Sequence, residues 1–239
     1  MANLALIFAG GTGQRMRASS RPKQFLELDG KPIIIHTVEV FSTHPAIDAI
    51  CIVCLGGWIE FLEGELERFG VGKVCDVVGG GATSQESICA GVMRLASEYA
   101  PGDCVLVHDG VRPLVDAPTI DACIASVEEH GSAITVVPAT ETIVRAEDGV
   151  VDEIIDRTSC VMARAPQCFR LGELERAHRR ALDEARGDFI DCASLMSWCG
   201  HELRTVMGSP DNIKITTPSD YYVFRAIKSA RDDSEVFGC

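Results

Sequence analysis

Short apolar runs alternate along the chain with stretches in which apolar residues recur at helical spacing. The runs, which are rich in β-branched residues, predict strands at Leu4–Phe8, Ala49–Leu55, Lys73–Val78, Cys104–His108 and Ala133–Val137. The other stretches predict helices at Ile33–Phe41, Trp58–Phe69, Glu86–Ser97 and Thr119–His130. Buried strands that alternate with helices are typical of a parallel sheet covered on both faces. The predicted fold class is therefore α/β, with a doubly wound, mostly parallel sheet whose ligand binds beyond the carboxyl ends of the strands.

The alternation ends after Pro138, and the pattern then changes. Residues 142–144 and 150–155 predict a hairpin whose turn is Asp148-Gly149. Later segments predict two further strands, at Leu203–Met207 and Asn212–Ile215. They also predict three helices: one at Leu171–Ala185, one that begins at about Asp191, and one that runs from Pro218 to about Ala230 with Thr217 as its N-cap. An isolated hairpin is marginally stable in water. We therefore expect this excursion, about residues 139–165 of a single domain spanning 1–239, to pack against a second subunit.

Composition and charge narrow the possible function classes. The 239 residues are 46% hydrophobic and 24% charged, which is an ordinary globular composition. Acidic residues outnumber basic ones by 35 to 22, for a formal net charge of -13, so we expect neither nucleic acid nor a membrane surface as a partner. No apolar run reaches the roughly 20 residues of a membrane span, and residues 1–8 lack the features of a secretory signal. We expect a cytoplasmic protein.

The eleven cysteines are scattered and include a single C-x-x-C, from Cys51 to Cys54, inside an apolar run. No second pair follows at zinc spacing. In a reducing compartment such thiols behave as small buried hydrophobes, so the pattern favours a packing role over a structural metal site.

A glycine-rich loop, Ala9-Gly10-Gly11-Thr12-Gly13-Gln14-Arg15-Met16, follows the first predicted strand. Its three glycines let backbone N–H groups approach an anion. The loop lacks the Gly-Lys-Ser/Thr of a P-loop and the third glycine of a dinucleotide fingerprint. The alternative to an anion site is a tight strand-to-helix turn with no ligand. Local charge favours a polyphosphate site, because the first 31 residues hold five cations against two carboxylates. The cations are Arg15, Arg17, Arg21, Lys23 and Lys31.

Two further segments carry candidate chemistry. Asp109 comes at the end of the fourth predicted strand, where a carboxylate can hold a divalent cation or orient a substrate hydroxyl, or can simply cap a turn. The preceding His108 is interpreted as a core histidine. Lys214 stands between two isoleucines, so in a strand it would point to the less apolar side. There it would serve a phosphate or lie at the surface.

Together these segments resemble a known enzyme family. They are Ala9 to Met16, Pro22-Lys23-Gln24-Phe25-Leu26, Gly79-Gly80-Gly81 with Ser87, His108-Asp109-Gly110-Val111-Arg112-Pro113, and Asn212-Ile213-Lys214-Ile215-Thr216-Thr217. In this order, over nearly the whole chain, they are similar to the cytidylyltransferases that act on 2-C-methyl-D-erythritol 4-phosphate and on D-ribitol 5-phosphate. The resemblance implies a Rossmann-like nucleotidyltransferase fold with a protruding β-hairpin dimerisation arm. It also implies a homodimer that uses CTP, a polyol phosphate and Mg²⁺ to form a CDP-polyol and pyrophosphate.

The resemblance also implies roles for individual residues. The triphosphate of CTP would be held by Gly10, Gly11, Gly13, Arg15 and Lys23. The cytosine would contact Gly81, Ala82 and Ser87, while Asp109 would serve the cytidine and the metal. Lys214 would reach the α-phosphate, which makes Arg15, Lys23 and Lys214 the catalytic cations. The acceptor would be bound by Arg112, Asp191 and, from the neighbouring subunit's arm, Thr142 and Arg157.

The chain departs from the family pattern at three positions. Ser84 stands where the family usually has arginine, and Ile190 and Ala165 stand where it usually has threonine. These changes bear on the acceptor more than on the reaction type, and other segments, among them Gly57-Trp58, favour ribitol 5-phosphate. Two alternatives stay open: a sugar-1-phosphate nucleotidylyltransferase that uses another nucleoside triphosphate, and a non-catalytic nucleotide-binding relative.

Overall fold

The computed structural model describes residues 1–10 and 21–237, with side chains as far as Asp233. The strands are β1 (Asn3–Ala9), β2 (Glu27–Leu28), β3 (Lys31–Pro32), β4 (Ala49–Cys54), β5 (Val74–Gly79), β6 (Cys104–Asp109), β7 (Ser132–Pro138), β8 (Ile143–Glu147), β9 (Val150–Ile155), β10 (Val161–Arg170) and β11 (Thr205–Met207). The α-helices are α1 (Ile33–Thr43), α2 (Ile59–Arg68), α3 (Ser84–Ala96), α4 (Ala117–His130), α5 (Leu171–Asp183), α6 (Cys192–Trp198) and α7 (Pro218–Phe237).

A seven-stranded sheet in the order β11-β7-β10-β6-β1-β4-β5 forms the centre of the protein. All neighbouring strands are parallel except β10, which runs antiparallel to both β6 and β7. The parallel strands β1, β4, β5 and β6 therefore end at one edge of the sheet, and the amino-terminal half of β10 reaches the same edge. This arrangement confirms the predicted α/β class and brings the segments that follow β1 and β6 side by side.

Helices cover both faces of this sheet. Successive side chains of a strand point to opposite faces, so a strand that is apolar throughout needs cover on both of them. On β1, Ile7 packs toward the face covered by α1, α2 and α4, while Leu6 packs toward the face covered by α3, α5 and α6. Helix α7 lies apart, and its Phe224 packs with Ile215 in a third apolar cluster. Its predicted cap is confirmed, because the side chains of Thr217 and Asp220 each accept a bond from the other's backbone N–H.

Strand β10 is the principal element that the sequence pattern did not predict. Its pairing register with β7 shifts between Ala163 and Gln167, around Pro166. Proline lacks the N–H that a ladder requires and is accommodated at such irregularities, so the segment does not show the alternation of a central strand. The predicted excursion of residues 139–165 accordingly ends early, because the sheet already includes Val161.

The predicted strand at residues 212–215 was wrong. These residues form an irregular segment that crosses the loop after β6, and Ile215 N–H donates to the Val111 carbonyl of that loop at 3.0 Å. Ile215 is fully buried against Phe224, and this apolar contact fixes the segment without a ladder. Lys214 is thereby carried to the edge of the sheet where the parallel strands end.

The predicted hairpin is present as a separate two-stranded sheet of β8 and β9. Its turn residues, Asp148 and Gly149, have φ values of 49° and 81°, which is the left-handed geometry that tight hairpins favour. Within the described residues, neither strand pairs with the seven-stranded sheet. The hairpin is therefore an arm connected to the domain through β7 and β10.

Most of the described cysteines are buried and free. Burial raises the pKa of Cys51 to about 12, with nearby Cys75 and Asp76 acting in the same direction, so this thiol is inert as a nucleophile. Within the described residues no cluster of three or more His, Cys, Asp or Glu side chains is placed to hold a metal. In the same part of the chain, no helix combines the length and apolarity needed to cross a bilayer.

Candidate active site

A cavity of about 180 Å³ opens at the edge where β1 and β6 end, and a second of about 90 Å³ adjoins it. The two share four lining residues: Phe8, Ser84, Asp109 and Lys214. The smaller, here the glycine lobe, is also lined by Ala9, Gly10, Lys23, Gln24, Ser87 and Val111. The larger, here the β10 lobe, is also lined by Ile88, Val107, Arg112, Ala163, Arg164, Ala165, Gln167, Ile190, Asp191 and Cys192.

Asp109 lies at the junction of the two lobes and is held by two cations. Its Oδ2 accepts a hydrogen bond from Arg112 Nε at 2.7 Å, and its Oδ1 lies 2.6 Å from Lys214 Nζ. Burial opposes ionisation of this carboxyl, but the charges and hydrogen bonds of Lys214 and Arg112 outweigh it and lower the pKa to about 2. Asp109 is therefore ionised at neutral pH. The Lys214 side chain is 41% exposed against 8% for Asp109, so the lysine can turn into the cavity.

Three segments are tied together around this ion pair. Arg112 Nη1 donates to the Asn212 carbonyl at 2.9 Å, and Asn212 Nδ2 donates to the Ala165 carbonyl of β10 at 2.7 Å. The His108 Nε2–H donates to the Arg112 carbonyl at 3.0 Å. His108 is fully buried, and burial lowers its pKa to about 4, in keeping with its interpretation as a core histidine. The position of Lys214 is thus set by contacts from both β6 and β10.

The glycine lobe is built by close backbone packing around Ser87. A Cβ atom at Gly10 would lie 2.5 Å from Ser87 Oγ, and one at Gly80 would lie 2.9 Å from it. Ser87 Oγ accepts a bond from the Gly81 N–H at 3.2 Å, and the Ala82 N–H donates to Glu86 at 2.7 Å. Gly10, Gly81, Ala82 and Ser87, all singled out by the sequence, are therefore brought together where α3 begins.

Lys23 reaches the glycine lobe from a short 3-10 turn at Lys23–Phe25. The buried neighbour Gln24 fixes this turn, because its Nε2 donates to the Ala9 carbonyl at the end of β1 at 2.7 Å. Lys23 and Lys214, two of the three predicted catalytic cations, thus line one lobe. The third, Arg15, lies with Gly11 and Gly13 outside the described residues.

Asp191 lines the β10 lobe but also has a structural task. Its Oδ1 accepts the Ser194 N–H at 2.8 Å as the N-cap of α6, and its Oδ2 accepts from Gln167 Nε2 at 2.8 Å. Both bonds hold the carboxylate at the wall of the lobe.

Thr142 and Arg157 are placed differently from the other predicted residues. Both are exposed at the base of the arm, and Arg157 Nη1 donates to the Thr140 carbonyl at 2.8 Å. Neither is among the described residues that line the cavity of its own chain. Of the residues that depart from the family pattern, Ser84 opens α3 and lines both lobes, and Ile190 is 89% exposed at the rim of the β10 lobe.

Arg164 is a site residue that sequence reasoning missed. It lies on β10, lines the β10 lobe, and donates from Nη1 to the Asn212 carbonyl at 2.8 Å. The only sequence signal for this role was an arginine two residues before Pro166. That signal points to a site only once β10 is known to lie between β7 and β6 in the sheet.

Comparison with known proteins identifies the family. The family described as IspD, 2-C-methyl-D-erythritol 4-phosphate cytidylyltransferase, matches residues 3–229. The chain belongs to this family. A relative named ribitol-5-phosphate cytidylyltransferase, from Streptococcus agalactiae serotype V, is 45% identical over 240 residues and covers 100% of both chains. Another, named 2-C-methyl-D-erythritol 4-phosphate cytidylyltransferase, from Syntrophotalea carbinolica, is 38% identical and covers 98% of this chain and 99% of its own.

A solved structure agrees with this assignment. The crystal structure of the Francisella tularensis 2-C-methyl-D-erythritol 4-phosphate cytidylyltransferase superposes with a TM-score of 0.78 at 27% identity, covering 94% of this chain and 100% of its own. The predicted resemblance, the fold and the nucleotidyltransferase class are therefore confirmed.

Proposed function

We propose that this IspD-family protein transfers CMP from CTP to D-ribitol 5-phosphate, forming CDP-ribitol and releasing pyrophosphate. The observation that carries the proposal is the two-lobed cavity whose junction holds the Asp109 and Lys214 ion pair, with Lys23 in one lobe and Arg112 in the other. The choice of ribitol 5-phosphate is supported by the full-length relative at 45% identity, against 38% for the methylerythritol phosphate relative.

The arrangement suits phosphoryl chemistry between two anions. An oxygen of the acceptor phosphate attacks the α-phosphorus of CTP, the bond to the β-phosphate oxygen breaks, and pyrophosphate departs with the electron pair. The attacking phosphate is already ionised near neutral pH, so the reaction needs no general base. It needs cations that offset the repulsion and stabilise the charge that develops on the α-phosphoryl oxygens, and Lys23 and Lys214 supply them.

In this scheme the glycine lobe receives the nucleotide and the β10 lobe receives the acceptor. Gly10 and Gly81 present bare backbone to the nucleotide, because a Cβ at Gly10 would clash with Ser87 and one at Gly81 with Glu86. Asp109 holds Lys214 at the junction until a phosphate competes for it. Gly11, Gly13 and Arg15 remain predictions for the triphosphate.

Asp109 would hold a divalent cation such as Mg²⁺ in place of its contact with Lys214, once that lysine turns to a phosphate. Magnesium in nucleotide-dependent enzymes is commonly held by one or two carboxylates together with the substrate phosphates. Asp109 is a buried carboxylate that stays ionised, and it faces the lobe assigned to the triphosphate. When bound, the cation would neutralise phosphate charge and so assist Lys23 and Lys214.

We further propose that the arm joins two chains into a homodimer. The register places Val144 opposite Ile154, and Ala146 opposite Val151, on one face of the arm, while the other face carries an ion pair. Ile154 is 70% exposed and Val151 55% exposed, so this apolar face is uncovered in the single chain. A two-stranded ribbon with such a face is stabilised by burial against a partner.

The dimer would also complete the site. Thr142 and Arg157 are exposed at the base of the arm and do not line their own chain's cavity, which is the placement expected of residues that serve the neighbouring subunit. Their hydroxyl and guanidinium groups are donors suited to a polyol phosphate.

Pyrophosphate release tests the proposed reaction. The purified protein with Mg²⁺ should release pyrophosphate from CTP in the presence of ribitol 5-phosphate, and more slowly with 2-C-methyl-D-erythritol 4-phosphate. UTP, GTP and ATP serve as nucleotide controls. Release with a sugar 1-phosphate and another nucleotide would overturn the proposal in favour of a sugar nucleotidylyltransferase. Absence of release with every acceptor would indicate a non-catalytic relative.

A further inference from the structure

Arg164 is a half-buried cation without a carboxylate partner among the side chains that the structure describes. The neighbouring Arg112 is different, because its charge is balanced by Asp109. Both guanidinium groups donate to the same Asn212 carbonyl oxygen, so two positive charges converge on one neutral acceptor. Burial lowers the pKa of Arg164, and the neighbouring charge of Arg112 acts in the same direction.

The place of Arg164 indicates which anion would compensate it. It lines the β10 lobe, whereas Gly10 and Lys23 line the glycine lobe. The β10 lobe also contains the polar groups of Gln167 and Asp191, which suit the hydroxyls of a polyol. Arg164 is connected through Asn212 to Arg112, and therefore to the lobe junction where the reacting groups must meet.

We propose that Arg164 binds the phosphate group of the acceptor and thereby selects a phosphorylated polyol. A guanidinium has five N–H donors and pairs well with a phosphate dianion, and Nη1 bonded to Asn212 leaves other donors for the ligand. The proposal rests on the proposed reaction, because it assigns Arg164 to the acceptor of that reaction.

The test compares Arg164→Gln, Arg164→Lys and the wild type by steady-state pyrophosphate release, with CTP and ribitol 5-phosphate varied separately. Arg164→Gln keeps an N–H donor for the Asn212 carbonyl but removes the charge. We expect Arg164→Gln to raise the KM for ribitol 5-phosphate by about tenfold or more, because a hydrogen bond to a charged group is lost. The KM for CTP should stay within about twofold of the wild-type value. Arg164→Lys should recover part of the loss because it restores the charge.

Arg179→Gln is the matched control, since it removes an exposed arginine on α5 whose partner is Glu175. It should leave both KM values unchanged. If Arg164→Gln raises the KM for CTP instead, lowers only kcat, or changes neither KM, the assignment to the acceptor is wrong. If the wild type itself releases no pyrophosphate with any polyol phosphate, the proposed reaction has failed. Isothermal titration of ribitol 5-phosphate into the wild type and into Arg164→Gln then decides whether Arg164 binds this ligand: weaker binding to the variant supports the assignment, and equal binding overturns it.

Discussion

Replacing Lys214 by alanine should separate catalysis from stability. The Lys214 side chain is 41% exposed, so its ion pair with Asp109 contributes less than about 1 kcal/mol to folding. Asp109 would also keep its bond to Arg112 and would not become an unpaired buried charge. For a chain of this length, the expected fall in Tm is at most about 4 °C. The loss of one cation that stabilises transition-state charge should lower kcat about 100- to 1,000-fold.

The assay is pyrophosphate release at saturating CTP and ribitol 5-phosphate, with thermal unfolding measured on the same samples. Lys228→Ala is the matched control: Lys228 Nζ also lies 2.6 Å from a carboxylate, that of Asp232, but on α7 away from the cavity. It should retain the wild-type kcat. If Lys214→Ala kept more than about a third of the wild-type kcat, its proposed role at the α-phosphate would be refuted. If it unfolded far below the control, the small stability contribution assigned to its ion pair would be wrong.

Three further predictions follow from other contacts. Asp109→Asn should lower the free energy of unfolding at pH 7 by about 2 kcal/mol. The Asp109 carboxyl has a pKa of about 2 in the folded state against an ordinary value of 3.8, so it stabilises the folded protein above pH 3.8. This contribution is lost as the pH falls toward 2. Urea titrations at pH 7 and below 3.8 should therefore show the difference narrowing. Gly91→Ala should destabilise the protein by about 1–3 kcal/mol, because its Cβ would lie 2.7 Å from Val53 Cγ2. Gly64→Ala, whose Cβ would have no described atom within 4 Å, should stabilise α2 by up to about 1 kcal/mol. Ile154→Glu should convert the proposed dimer into monomers in sedimentation equilibrium, and a monomeric wild type would contradict the proposed role of the arm.

The elements closest to the first strand were predictable because their signals are local. Strands β1, β4 and β6 are continuous apolar runs, since each is buried on both faces. The hairpin turn required two left-handed residues, and Asp148-Gly149 supplies them. Such patterns depend on neighbouring residues alone, so they are visible without knowledge of the fold.

The segment at residues 212–215 and strand β10 were not predictable in the same way. Ile213 and Ile215 resemble a strand in the sequence, but their apolar contacts are with α7 and the loop after β6. Strand β10 contains Pro166, which is accommodated where the pairing register shifts, and Arg164, whose side chain lines the cavity. Contacts between distant segments override local preference at both places.

The sequence by itself determined the α/β class and pointed to the carboxyl ends of the strands, because buried strands and glycine-rich turns have short-range signatures. The family resemblance in the sequence then named most of the charged residues that line the candidate site. Only the tertiary structure decided that Lys214 and Arg112 share one carboxylate, that Asp191 caps a helix, and that Arg164 enters the cavity. These facts depend on which strands become neighbours, and strand order is set by packing over the whole chain.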